Sequence, residues 1–204
     1  MLLKFKYIAF VLLIAFLGCN KNDSRLQDGD LVFHSSHSSQ SQAIELATKS
    51  KFSHMGIVLT LNNRQMVYEA VGPVKYTPLR EWIKKGIENH FVARRLKNAK
   101  EILTPQNLAK LRTVGETFKG KPYDFIFCWS DEQVYCSELV WKMYDRALNI
   151  QIGSLQHLRD FDLNAPLVKQ KLRDRYPNGV PMDETVISPE QMFRNELLET
   201  VLEQ

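Results

Sequence analysis

The alternation of apolar and polar positions divides the chain into a strand-rich first half and a helix-rich second half. Leu31–Val32–Phe33 is a short apolar run behind the turn cluster Gln27–Asp28–Gly29–Asp30. A Ser-rich loop, SSHSSQS at 35–41, precedes Ala43, Ile44, Leu46 and Ala47, whose spacing predicts a short helix over 42–49. HMGIVLTL at 54–61 and QMVYEAV at 65–71 read as strands joined by an Asn62–Asn63 hairpin turn. FVARRL at 91–96 predicts a further strand. Thr104–Pro105 forms an N-cap with Pro at N1, ahead of Leu108, Leu111, Val114 and Phe118 at helical spacing, and Gly120 can end that helix. CSELVWKMYDRAL at 136–148 sets Leu139, Val140, Met143, Tyr144 and Ala147 on one face. Residues 149–187 are mixed and Pro-containing, with little regular structure expected. The capping box Ser188-Pro189-Glu190-Gln191 opens a predicted C-terminal helix reaching about Leu202. Strands first and helices later predict α+β with an antiparallel sheet, not alternating βαβ units.

The first eighteen residues, MLLKFKYIAFVLLIAFLG, follow a different logic. Lys4 and Lys6 make a positive start, and the apolar stretch Tyr7 to Leu17 follows. As a helix that stretch would span about 17 Å, short of a hydrocarbon core of roughly 30 Å, so it reads as a signal peptide, not a membrane span. It stops at Gly18–Cys19 and turns polar at once. A small residue before Cys at that point resembles a bacterial lipobox, with Phe16 a departure from the usual Leu. The resemblance implies a signal peptide over 1–18, lipidation of Cys19, a polar tether over 19–26 and one catalytic domain over 27–204. It also implies a cell-envelope location, the lipid holding a periplasmic or surface-facing domain on a bacterial membrane.

Composition adds mostly exclusions. The 204 residues are 44% apolar and 25% charged, ordinary for a globular chain. The formal net charge is +4, and Lys4 and Lys6 account for half of it. The remaining bases are scattered among acids, without the basic stripe of a nucleic-acid binder, so no nucleic-acid partner is expected. Three cysteines are too few for a disulfide scaffold. His34 and His37 have no further donors nearby in sequence to complete a tetrahedral set, so no metal is expected; a solvated or substrate-facing loop is.

His54, Glu69 and Cys136 form the candidate chemistry. If Leu61 opposes Arg64 across the hairpin, His54 faces Val71 and Glu69 lies on the same face one diagonal step away, within reach of a long side chain. A one-residue slip would put the two on opposite faces. Cys136 opens a helix, where the dipole favours thiolate and the free backbone N–H can serve an oxyanion. A Cys nucleophile, a His base and a carboxylate that orients the His make a triad. A core His, a solvated Glu and a buried Cys are the alternatives that spacing alone leaves open.

GDLVF at 29–33, SHMGIV at 53–58, VYEAV at 67–71, GKPYDFIF at 120–127 and YCSELVWKMY at 135–144 together resemble one family. It is the circularly permuted branch of the NlpC/P60 papain-like superfamily, the YiiX/YaeF-like amidases, in which His precedes Cys along the chain. SPEQM at 188–192 is similar to that family's tail. The resemblance implies a permuted papain-like α+β fold, a small antiparallel sheet packed against the Cys-bearing helix. It implies Cys136 as nucleophile, His54 as base and Glu69 as orienting acid. Pro122–Tyr123 matches the family's PY motif, which implies that Tyr123 lines the site and binds the oxyanion; a Tyr packed on the Cys helix is the other reading.

The expected activity is hydrolysis of an amide through a Cys thioester, without cofactor, on a cell-wall peptide, a small peptide or an N-acyl amino acid. A lipid-directed acyltransferase or thioesterase, or a non-catalytic envelope binding module, are the rivals, and a monomer is expected. Cys128 in FIFCW reads as a small buried side chain, with a Cys128–Cys136 disulfide as the competing reading. Arg94 and Arg95 are expected on a solvated face, with a substrate carboxylate on one of them as the other reading, and Glu138 on the helix surface or the site rim.

Overall fold

The computed structural model describes residues 22–204. Signal peptide and Cys19 lipidation both fall outside the described residues.

Six strands form one antiparallel sheet in the order β4-β3-β2-β1-β5-β8. They are β1 (Leu31–His34), β2 (His54–Leu61), β3 (Arg64–Ala70), β4 (Val74–Pro78), β5 (Val92–Leu96) and β8 (Leu198–Glu203). The β2–β3 hairpin has the expected register, Leu61 opposite Arg64 and Ile57 opposite Tyr68. Asn62 and Asn63 both take positive φ, 50° and 60°, the left-handed pair that a tight hairpin turn needs and that Asn tolerates.

Helices cover both faces. On one side α5 (Cys136–Leu148) packs over β2 and β3 beside α4 (Pro105–Glu116), with Leu31, Phe33, Met55, Ile57 and Leu59 buried beneath. On the other, Val32, Val58, Val67 and Phe91 are covered by Trp82 of the short helix α2 (Leu79–Ile83). The period of two along each strand divides the two cores. Helix α1 (Ser39–Thr48) starts on the Ser38 side chain, which accepts the Ser41 N–H at 3.1 Å. It packs against α6 (Pro166–Arg175).

Two predicted elements differ. Residues 166–175, expected to be irregular, form α6 with Pro166 in the first turn. The C-terminal helix is one turn only, α7 (Pro189–Phe193), capped as expected by Ser188. Residues 198–203 are instead β8, paired along β5. The Leu197, Leu198, Val201 and Leu202 spacing suits a helix, but the otherwise open edge of β5 offers a ladder of hydrogen bonds, and Arg94 donates to the carbonyls of Phe193 and Leu198. Arg95 is not on a solvated face: it holds the buried Asp30 through two bonds of 2.7 and 2.8 Å. The last residues of the expected tether are also docked. Asp23 N–H donates to Gln65 Oε1 at 2.6 Å, and Leu26 is buried in the α2-side core. The two-stranded ribbon β6 (Gln156–His157) and β7 (Thr185–Val186) completes the fold.

Candidate active site

Local structure aims each group. Cys136 is the first residue of α5, whose N-terminus is fastened to the segment before α7: Tyr135 Oη accepts the Ile187 N–H at 3.0 Å, and Ser137 Oγ donates to the Ile187 carbonyl at 2.7 Å. His54 opens β2 at the end of the sheet that Cys136 approaches. The Met55 backbone N–H, next along β2, donates to the Cys136 sulfur, as does the Ser137 N–H. Gly56 separates His54 from Val58 on that face. A Cβ there would stand 2.4 Å from Val67 Cγ1 and 3.4 Å from Glu69 Cβ, so the missing side chain lets β3 come close enough for the diagonal pair.

The imidazole bridges the other two groups. His54 Nε2 lies 2.6 Å from Glu69 Oε2, and the ring also hydrogen-bonds the Cys136 thiol, which leaves Nδ1 for the sulfur. Glu69 is fully buried yet well partnered: Thr77 Oγ1 donates to its Oε1 at 2.6 Å, and Lys85 Nζ stands 3.2 Å away. Burial pushes the Glu69 carboxyl up, but these partners more than reverse that and hold it at about 2. Burial likewise pulls His54 down, while Cys136 and Glu69 raise it to about 10. Burial pushes the Cys136 thiol up, and the His54 hydrogen bond and charge, with the two backbone donors, bring it below the ordinary value. Both shifts favour the thiolate–imidazolium form of the pair.

Three neighbours complete the surroundings. Tyr123 forms a bridge with Val134 and hydrogen-bonds Cys136, its phenol pushed well up by burial, so it is a donor. His34 is not in a loop: it ends β1, is 2% exposed, and stacks on Trp82 at 4.0 Å. Burial drives it down to about 3, so a neutral ring lies 5.2 Å from the His54 ring and adds no charge to compete with the imidazolium. Gln40, at the start of α1, gave no signal in the sequence beyond its place in a Ser-rich run. Arg175 donates to its Oε1, and its Nε2 is buried without a partner. Gln40 and Tyr123 line the same two cavities.

Two cavities meet there. One, with about 740 Å³ of empty space including its mouth, is lined by Ser36, Ser38, Ser41, Ser53, Lys85 and His54 together with the apolar Val71 and Phe125. The other, about 720 Å³ on the same basis, runs between α1 and α6 and reaches Cys136. Tyr123, Gln40 and Ile44 line both.

The remaining candidates lie outside the site. Cys128 and Cys136 are both free thiols, so the disulfide reading does not hold, and Cys128 is half-buried. Glu138 is neither helix surface nor site rim. It is fully buried, 2.7 Å from Lys142 Nζ, with its carboxyl pushed by burial up to about 7. Among the described residues no group of three or more His, Cys, Asp or Glu could hold a metal ion.

A sheet that presents His and acid ahead of a Cys-headed helix in chain order is a papain-like site with its segments permuted. The chain belongs to the family of permuted papain-like amidase enzymes, the YaeF/YiiX or C92 family, whose profile matches residues 25–202. The NlpC/P60 name belongs to a different branch. The chain is 46% identical over 175 residues to the uncharacterized protein YiiX of Escherichia coli K12, covering 86% of this chain and 85% of that one. It superposes with a TM-score of 0.83 on a crystal structure described as the metalloprotein YiiX from Escherichia coli O157:H7. That match is 46% identical and covers 88% of this chain and 98% of the other.

Proposed function

We propose that the protein is an exported, lipid-anchored cysteine amidase that works through a Cys136 thioester. The observation that carries this is the single imidazole that hydrogen-bonds both the Cys136 thiol and the buried Glu69 carboxylate. Cys136 Sγ attacks the amide carbonyl carbon. Its own backbone N–H, the Tyr123 hydroxyl and Gln40 Nε2 are the donors available to the oxyanion. The C–N bond breaks as the His54 imidazolium gives its proton to the leaving nitrogen. Water then attacks the thioester, His54 takes its proton, and the thiolate departs. Glu69 keeps the ring oriented throughout and stabilises its positive charge before acylation and again as water attacks. The substrate is a small peptide or an acyl amide of the cell envelope. The leader and Cys19 supply the address, with lipid at Cys19 holding the domain to the membrane.

YiiX of Escherichia coli O157:H7 is described as a metalloprotein. Among the described residues no three His, Cys, Asp or Glu side chains are grouped to hold a metal ion, and the proposed reaction uses none.

The test is thiol reactivity in the domain lacking residues 1–19. Limiting iodoacetamide is applied from pH 4 to 9 and labelled cysteines are mapped by mass spectrometry, in wild type and His54→Ala. Fast labelling of Cys136 at pH 5–6, slowed by the His54 change, is expected. Labelling of Cys136 only near pH 8.5 and above would overturn the triad.

A further inference from the structure

We infer that the substrate is an amide of a straight-chain aliphatic acid, with the chain held between α1 and α6 and the amine released into the Ser-lined cavity. The inference rests on the thioester reading above and names what that thioester carries.

The two cavities differ in which catalytic group they touch. Cys136 and Ser137 line the α1–α6 cavity and His54 does not; His54 lines the Ser-bearing cavity and Cys136 does not. The acyl group stays bonded to sulfur after the first step, so it must occupy the space on the cysteine's side. The leaving amine must accept the His54 proton, so it must occupy the space on the histidine's side. Tyr123 and Gln40, on the boundary, stand where the scissile carbonyl passes from one to the other.

The chemistry of the two walls then names the two halves of the substrate. On the cysteine's side the walls are Ala43 and Ala47 of α1, Val168 and Leu172 of α6, and Leu158 and Phe161 of the segment between. The small alanines keep the cleft open along its length; Lys171 and Arg175 also line it, and no carboxylate does. The carbonyls of a peptidyl group could reach those two cations, but its N–H groups would meet no carboxylate acceptor in the lining, at a cost for each left unpaired. A methylene chain brings none. On the histidine's side four serines and Lys85 suit a polar or anionic amine component, such as an amino acid. Water hydrolyses the thioester to the free fatty acid, so no further co-reactant is required.

The experiment measures kcat/KM of the domain lacking residues 1–19 on N-acetyl-, N-butanoyl-, N-octanoyl- and N-dodecanoylglycine and on an acetylated tripeptide, following acid release and the intact mass of the enzyme. Each methylene that enters the cleft should raise kcat/KM by about fourfold until the chain no longer fits, giving a rise on the order of a hundredfold from butanoyl to octanoyl. Ala47→Phe should flatten that ratio, and Leu172→Ala should move the optimum to longer chains. The ratio is read within one preparation, so a partly folded variant still reports. Cleavage of the acetyl compound or the tripeptide through Cys136 with no gain from chain length would overturn the acyl cleft and leave the amidase standing. No cleavage of any amide, with Cys136 never acylated in the mass spectrum, would overturn both.

Discussion

Glu69→Gln removes one charge from the centre of the site and almost no volume. The wild-type carboxyl sits at about 2 in the folded protein against 4.5 as a free side chain. The difference, converted at about 1.4 kcal/mol per pH unit, is roughly 3 kcal/mol favouring the ionised form when folded. A folded value below the unfolded one means this stability is present above pH 4.5 and is lost as the pH falls through about 2. Gln keeps an acceptor for His54 and Thr77 but gives up the charge that faces the imidazolium and Lys85. The variant should therefore unfold more easily in urea at pH 7 by roughly 3 kcal/mol, and the gap to wild type should shrink steadily from pH 4.5 downward. In parallel, the apparent thiol titration of Cys136 should move up by about a unit, because His54 loses a partner for its positive form. Equal urea midpoints at pH 7, or a gap that stays constant down to pH 3, would refute the assignment of Glu69 as an ionised partner of His54.

Three further outcomes follow from other contacts. Gly56→Ala places a Cβ 2.9 Å from the Tyr68 carbonyl as well as against Val67, so it should cost roughly 1–3 kcal/mol and reduce Cys136 labelling at pH 6; a wild-type midpoint in denaturant would contradict this. Lys142→Met leaves Glu138 buried without its partner at 2.7 Å, and that loss should reach roughly 3–5 kcal/mol at pH 9. Since Glu138 is held at about 7, it is largely neutral at pH 5.5 and the loss should be much smaller there; a pH-independent loss would count against the buried pair. Gln40→Ala should lower kcat by roughly a hundredfold or more with little change in KM, as expected for a donor that engages the oxyanion; an unchanged kcat would remove Gln40 from that role.

Local signals accounted for a good part of this molecule. The Asn62–Asn63 turn between two strand-like runs suggested a hairpin, and the pairing assumed for it, Leu61 opposite Arg64, is the one the structure has, with the diagonal approach of His54 and Glu69 that follows from it. Period-two and period-3.6 patterns are properties of neighbouring residues, so they survive without knowledge of the rest of the chain. Thr104–Pro105 and Ser188–Pro189 marked helix starts for the same reason. The motifs around Cys136 and Tyr123 carried the family, and through it the expectation that two segments thirteen residues apart meet at one sulfur.

What tertiary structure alone decided lies at long sequence separations. Residues 198–203 became a strand because β5 had an open edge to offer, which outweighed a helical spacing of leucines. His34 became a buried neutral platform because β1 runs one residue further and Trp82 arrives from α2. Gln40 acquired a free donor only because Arg175, 135 residues away, takes its oxygen. The shape of the acyl cleft depends on α6, which no local pattern announced. Cavities and buried partnerships are set by which surfaces meet, and that is a property of the packed whole; periodicity and caps are properties of adjacent residues, and the sequence alone is enough for them.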